Sequence, residues 1–218
     1  MLAPILIATF LGYLLGSLPF GYLVARAKGV NIFEVGSKNP GATNVRRVLG
    51  KGPGNLVLVL DALKGAVASG GVLLWFWSRN GAVTPQNEIV AIAGVVGAML
   101  GHSFSCFTRF KGGKGVATGA GGFLVIFPLG MMIAIALWIA AALAFRYVSL
   151  ASMVGAVSLP ITALIMHRST VLVTVTAVIA LFVIFRHRAN ISRLLSGTES
   201  KIGQKAAAAP VSTAAPKT

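Results

Sequence analysis

Long apolar runs separated by short polar or basic stretches dominate the chain. Pro4–Ala25 exceeds the ~20 residues that a helix needs to cross a bilayer. Gly16, Ser17 and Pro19 in its second half predict a kink or a tight packing face. Arg26–Gly54 is polar and reads as a loop. Asn55–Trp77 is the second apolar run, with Asp61 and Lys64 near its first turns, and the short loop Ser78–Glu88 follows. Ile89–Leu100 leads to His102 and a glycine-rich stretch. The apolar stretch Val116–Ala144 is too long for one helix. Phe127, Pro128 and Gly130 interrupt it, which predicts two helices, Val116–Ile126 and Pro128–Ala144. Leu150–Met166 and Thr170–Phe185 complete the set. The tail Ala206–Thr218, rich in Ala and Pro, has no apolar period and is expected to be disordered after a single membrane domain over 1–205.

Charge tests this division. Seven helices with the N-terminus outside place sixteen of the nineteen Lys and Arg residues on the inner side, and only Arg79 and Arg168 outside. One long helix in place of the split pair would move the six cations beyond Phe185 outside. The positive-inside tendency therefore predicts an all-α polytopic protein with seven transmembrane helices and a cytoplasmic C-terminus. Several runs are short, so tilted, stubby helices around a thinned or water-filled centre are expected. A chain that is 56% hydrophobic and 11% charged, with mean hydropathy +0.85, is not an ordinary soluble domain. The net charge of +15 would suggest nucleic acid in a soluble protein. In a membrane protein such charge sets topology or binds anions, and the aromatic-spaced basic surface suited to single strands is missing. The single cysteine, Cys106, rules out an internal disulfide and a thiolate metal cluster. Pro4–Ala25 runs straight into a basic loop, as a membrane helix does and a cleavable signal peptide does not.

Four stretches carry chemistry, all on the predicted inner face. In Phe110–Thr118, F-K-G-G-K-G-V-A-T, glycines let backbone amides turn inward, Lys114 adds charge, and a helix N-terminus follows. A phosphate cradle and a glycine-rich hairpin with orienting lysines both fit, while the spacing of a nucleotide P-loop is lacking. Gly36–Asn44, G-S-K-N-P-G-A-T-N, followed by Arg47, is dense in small donors suited to phosphate and hydroxyl oxygens, although Asn-Pro-Gly is also turn chemistry. In D-A-L-K-G, Asp61 and Lys64 can pair at i, i+3 and brace the site from below. His102 is either a proton acceptor, a phosphate donor or a hydrogen-bonded structural group. In Arg186–Glu199, His187, Asn190 and Arg193 recur every three residues along one side of a continued helix. Attraction to anionic lipid, about 1 kcal/mol per cation, would explain the cations but neither Asn190 nor Glu199. Four acidic residues and three histidines supply no serine–histidine–acid triad, paired carboxylates or metal cluster. Any reaction therefore needs anion positioning more than a strong protein base. A phosphate transporter should instead bring polar groups to the bilayer midplane in two corresponding broken segments, and a scaffold would need no donor-rich motifs.

The ordered set G-S-x-N-P-G-A-T-N-x-x-R, D-x-x-K-G, G-H…F-K-G-G-K-G-V-A-T and H-x-x-N-I-x-R-L…E resembles the bacterial acyl-phosphate:glycerol-3-phosphate acyltransferases, over nearly the whole chain to Lys201. The resemblance implies a seven-helix enzyme of the bacterial inner membrane with its site facing the cytoplasm. It implies transfer of a fatty acyl group from acyl phosphate to the 1-hydroxyl of sn-glycerol 3-phosphate, giving lysophosphatidic acid and inorganic phosphate in phospholipid biosynthesis. No cofactor, metal or nucleic acid is implied, membrane lipid is the surrounding partner, and a monomer is expected to suffice. Carried over by position, the resemblance points to Ser37, Arg47, Lys114, His187 and Asn190 as catalytic residues. Asn39, Gly41, Thr43, Asn44, His102, Gly112, Gly113, Gly115, Thr118 and Ser149 are then expected to bind substrate, and Asp61, Lys64 and Glu199 to support the site. The chain departs from the family pattern at Phe104-Ser105, where aromatic-Pro is usual, and at N-I-F-E before Gly36, where a D-I-R type stretch is common.

Overall fold

The computed structural model describes residues 1–80 and 84–204, and all regular structure among them is helical. The predicted tail from Ala206 lies outside the described residues. The helices are α1 (Leu2–Gly16), α2 (Phe20–Arg26), α3 (Ala42–Leu49), α4 (Lys51–Asn80), α5 (Pro85–Ser103), α6 (Val116–Ile126), α7 (Pro128–Phe145), α8 (Val148–Ile165), α9 (Thr170–Arg186) and α10 (Arg188–Leu195). A single turn of 3₁₀ helix, Cys106–Thr108, follows α5. Each apolar run forms a helix because backbone N–H and C=O groups find no water in a bilayer and must bond within their own segment.

The first run breaks where Pro19 precedes α2, as the Gly-Ser-x-Pro stretch predicts. Five helices are long and apolar enough to cross a bilayer: Leu2–Arg26 across that break, Lys51–Arg79, Pro85–Thr108, Pro128–Phe145 and Val148–Ile165. A sixth arises if α9 and α10, bent by 58° at His187, count as one span. α6 has 11 residues. At 1.5 Å per residue it reaches only about 16 Å, half of a ~30 Å hydrocarbon core.

Three boundaries differ from the sequence reading. The polar stretch Arg26–Gly54 holds α3, whose Val45 packs with Ala25, Ile32 and Val57 in a small core of its own. α4 starts at Lys51 and tolerates Pro53 in its first turn, where no intrahelical N–H bond is lost. α5 starts at Pro85, capped by Thr84, whose Oγ1 accepts the Asn87 amide. Ser149 lies in the first turn of α8.

Small residues let the helices touch. A Cβ on Gly12 or Gly16 of α1 would overlap the α5 backbone at Gly94 or Ala98, and one on Gly65 of α4 would overlap the Thr118 carbonyl of α6. The main core joins α5 through α9 around Val95, Met99, Phe123, Phe127, Leu159 and Leu172. Leu6, Phe10, Leu74, Leu143 and Leu181 are more than half exposed on the outside, as a lipid-facing surface requires.

Candidate active site

One cavity of about 420 Å³ opens where the α2–α3 loop, the α5–α6 loop, the start of α8 and the α9–α10 bend meet. Gly36 (φ +58°) turns the first loop. Asn44, almost fully buried, then clamps it: Oδ1 accepts the Ser37 amide (2.8 Å) and Nδ2 donates to the Val35 carbonyl (3.1 Å). Asn39 Oδ1 likewise accepts the Gly41 amide (2.9 Å). The two asparagines therefore shape the loop, and Ser37 of the loop and Thr43 and Arg47 of α3 line the cavity beside them. Burial holds the Arg47 guanidinium below its ordinary pKa, with Glu199 opposing the shift.

The glycine loop is braced from outside. The Gly113 amide donates to the His102 carbonyl (3.0 Å). The Gly112 and Gly113 carbonyls accept from one Arg186 nitrogen, Nη2, at 3.1 and 2.7 Å, and the Ser103 carbonyl lies 3.4 Å from it. The guanidinium also sits 5.0 Å from the centre of the Phe104 ring. Lys114 and Gly115 (φ +78°) reach the cavity, and the first turn of α6 follows with backbone amides that have no intrahelical partner.

Lys114 donates to Asn190 Oδ1. Asn190 Nδ2 and Ser149 Oγ donate to Glu199 Oε1 (2.6 and 2.8 Å), and Arg193 Nε donates to Oε2 (2.7 Å). Burial brings the Lys114 ammonium down to about 8, against the pull of Glu199, and Arg193, Arg47 and Arg186 push in the same direction as burial. Burial alone would raise the Glu199 carboxyl. The hydrogen bonds from Asn190, Ser149 and Arg193 outweigh it and hold the group below its ordinary value. His187 Nδ1 faces the Val183 carbonyl at 2.7 Å, which can only accept, so Nδ1 carries the proton and the neutral ring keeps Nε2 as an acceptor. Beneath these groups Lys64 Nζ contacts Asp61 Oδ1 and His102 Nδ1, both at 2.9 Å, and the Leu18 carbonyl at 3.2 Å. His102 Nδ1 also lies 3.5 Å from Asp61 Oδ1, so the three side chains form one buried cluster.

The other end of the cavity is apolar, walled by Met99, Phe123, Met131, Trp138, Leu159 and Ile179. A cationic, donor-rich mouth on an apolar slot suits a molecule with an anionic head and a hydrocarbon tail. With that geometry in view, the family model described as glycerol-3-phosphate acyltransferase matches residues 6–197. The chain belongs to the glycerol-3-phosphate acyltransferase family. It is 45% identical to the glycerol-3-phosphate acyltransferase of Desulforamulus reducens, over 88% of this chain and 92% of that one. To that of Fusobacterium nucleatum it is 47% identical, over 88% and 94%. The crystal structure of PlsY (YgiH), an integral membrane glycerol 3-phosphate acyltransferase, in its glycerol 3-phosphate form matches with TM-score 0.80 and 38% identity over 91% of this chain and 96% of that one. The lysophosphatidic acid form matches with TM-score 0.77 and 38% identity over 92% and 96%.

In this acyltransferase fold the five residues expected to be catalytic, Ser37, Arg47, Lys114, His187 and Asn190, all line the one cavity. So do Asn39, Gly41, Thr43, Asn44, His102, Gly115 and Ser149, and the supporting residues Asp61 and Glu199. Gly112, Gly113, Thr118 and the supporting Lys64 are not in its lining: the first two are tied to His102 and Arg186, Thr118 of α6 is fully buried against α4, and Lys64 lies beneath with Asp61 and His102. Of the Gly112–Gly115 stretch, Lys114 and Gly115 are the residues that reach this cavity. Arg186 was counted by sequence only as a topological charge. Its place one residue before His187 was the available signal, but its carbonyl partners lie more than seventy residues away. Among the described residues no group of three or more His, Cys, Asp or Glu side chains could hold a metal ion.

Proposed function

We propose that this protein transfers a fatty acyl group from acyl phosphate to the 1-hydroxyl of sn-glycerol 3-phosphate, releasing lysophosphatidic acid and inorganic phosphate in the first acylation of bacterial phospholipid synthesis. The observation that carries this reading is the cavity with Arg47 and Lys114 at its polar mouth and an apolar slot behind. The glycerol 3-phosphate and lysophosphatidic acid forms of the PlsY structures support the acceptor and the product.

Two anionic substrates repel each other, so positioning is the main task. Lys114, the Lys114–Gly115 loop and the α6 N-terminus hold one phosphate, while Arg47, Ser37 and Thr43 hold the other. Asn190, fixed between Lys114 and Glu199, keeps the ammonium in place. The acceptor hydroxyl oxygen attacks the acyl carbonyl carbon, and the bond from that carbon to the phosphate oxygen breaks. Phosphate is a good leaving group from this mixed anhydride and needs little acid assistance. The hydroxyl proton passes to an oxygen of the departing phosphate, which suits a site without a strong base. His187, with Nε2 unprotonated, and His102 are the alternative acceptors. If replacing each histidine removed turnover while both substrates still bound, the phosphate-assisted route would fail.

In this reading the chain is a functional monomer that crosses the inner membrane seven times, α6 counting as a short crossing, with the N-terminus outside and the site and C-terminus in the cytoplasm. Basic residues clustered at the cavity end of the bundle support that orientation. The test is detergent-purified protein given acyl phosphate and glycerol 3-phosphate. Phosphate release matched by acylated product, absent without glycerol 3-phosphate and absent with acyl-CoA as donor, is the expected result. Transfer from acyl-CoA would overturn the donor, and phosphate release independent of the acceptor would reduce the activity to hydrolysis.

A further inference from the structure

The apolar arm of the cavity follows α8 from Ser149 to Leu159, with Ser152, Gly155 and Ala156 between them. Ten residues of helix rise about 15 Å. That is half of a ~30 Å hydrocarbon core, the depth of one leaflet and so the reach of one membrane acyl chain. The arm has a definite end. Phe123 of α6, Met131 of α7 and Leu159 of α8 meet there at 1%, 9% and 5% exposure, within the main buried core.

Midway along, α7 and α8 approach closely because Gly155 carries no side chain. A Cβ on Gly155 would lie 3.2 Å from the Ala134 carbonyl and 3.6 and 3.8 Å from Trp138 Cβ and Cδ1. The indole is pinned there: Trp138 Nε1 donates to Ser152 Oγ (3.2 Å), and that hydroxyl donates to the Val148 carbonyl (2.8 Å). The arm therefore has a fixed wall where α7 meets α8 and a floor of buried side chains.

We propose that the floor formed by Phe123, Met131 and Leu159 sets the longest acyl chain the enzyme accepts, tuned to a chain of one leaflet's depth. This rests on the acyl-transfer reading above. A chain within that length gains about fourfold in kcat/KM for each buried methylene. A longer chain must leave methylenes outside the slot and gains nothing further, or loses by crowding the head group.

The experiment is competition among a graded series of saturated acyl phosphates, reading relative kcat/KM from the lysophosphatidic acids formed, with glycerol 3-phosphate KM measured alongside. Leu159→Ala removes three side-chain carbons and is expected to move the optimum longer by about two methylenes. Met131→Ala should move it the same way. Glycerol 3-phosphate KM should stay within about twofold, since the head-group site is untouched. Leu159→Val, which keeps the core better filled, carries the test should Leu159→Ala not fold. An unchanged chain-length profile in folded, active variants would overturn the proposal and mean that the tail leaves sideways into lipid. A wild-type protein inactive with every acyl phosphate would overturn the acyl-transfer reading itself, and the length limit with it.

Discussion

Arg186→Gln is the most informative single change to the proposed site. The substitution removes a guanidinium whose Nη2 holds the Gly113 carbonyl at 2.7 Å and the Gly112 carbonyl at 3.1 Å, one residue before Lys114. A hydrogen bond from a charged donor contributes roughly 1.5–3 kcal/mol. Two such bonds set an upper range of about 3–6 kcal/mol, and the loop recovers part of it by turning its carbonyls toward water. About 3 kcal/mol of lost transition-state positioning remains, which lowers kcat/KM roughly a hundredfold. The Gly113 amide still binds the His102 carbonyl, so the loop is displaced rather than unfolded. The assay is phosphate release with both substrates varied, together with thermal unfolding in detergent. The expected signature is a fall in kcat, a smaller rise in KM, and partial recovery in Arg186→Lys, which keeps the charge but not the fork. Activity of Arg186→Gln within threefold of wild type, or a loss fully accounted for by a lower folded fraction, would refute the reasoning.

Three further outcomes are expected. Lys114, with a pKa brought down to about 8, is charged below that pH and neutral above it. The kcat/KM for the anionic substrates should therefore fall as pH rises through about 8, approaching tenfold per unit, and Lys114→Arg should remove that limb because the guanidinium stays charged. Glu199→Gln replaces a carboxylate that accepts from Asn190, Ser149 and Arg193 with a group that must turn an NH₂ toward one of them. An activity loss of about ten- to a hundredfold is expected, and a double-mutant cycle with Asn190→Ala checks it by non-additivity. Gly65→Val drives a side chain into the Thr118 carbonyl where α4 meets α6, while Gly71 on the same helix has open space around it. Gly65→Val should lower stability by at least about 1–3 kcal/mol, read as a drop in Tm, and Gly71→Ala should be neutral or slightly stabilising.

Apolar runs, their order and the split at Phe127-Pro128 were all legible along the chain, because a bilayer leaves the backbone no alternative to helices and Pro cannot continue one. α3 was not. Its buried Val45 sits among polar neighbours, and its helix closes only against Ala25, Ile32 and Val57. Candidate chemistry was legible as residue types in order, since small donors, glycines and cations are rare in such a chain and conspicuous when they cluster. Their division of labour was not, because it depends on partners distant in sequence. Asn44 has the composition of a ligand, and only the turned loop shows both ends of its amide taken by Ser37 and Val35. Gly112 and Gly113 have the composition of a phosphate cradle, and only the return of α9 shows their carbonyls tied to Arg186. The bond between Lys114 and Asn190 joins residues 76 apart. Local pattern thus specified the helices and the chemical inventory. Close helix contacts through glycine decided which of those groups meet, since a backbone approach across Gly12, Gly16 and Gly65 is a property of two helices at once.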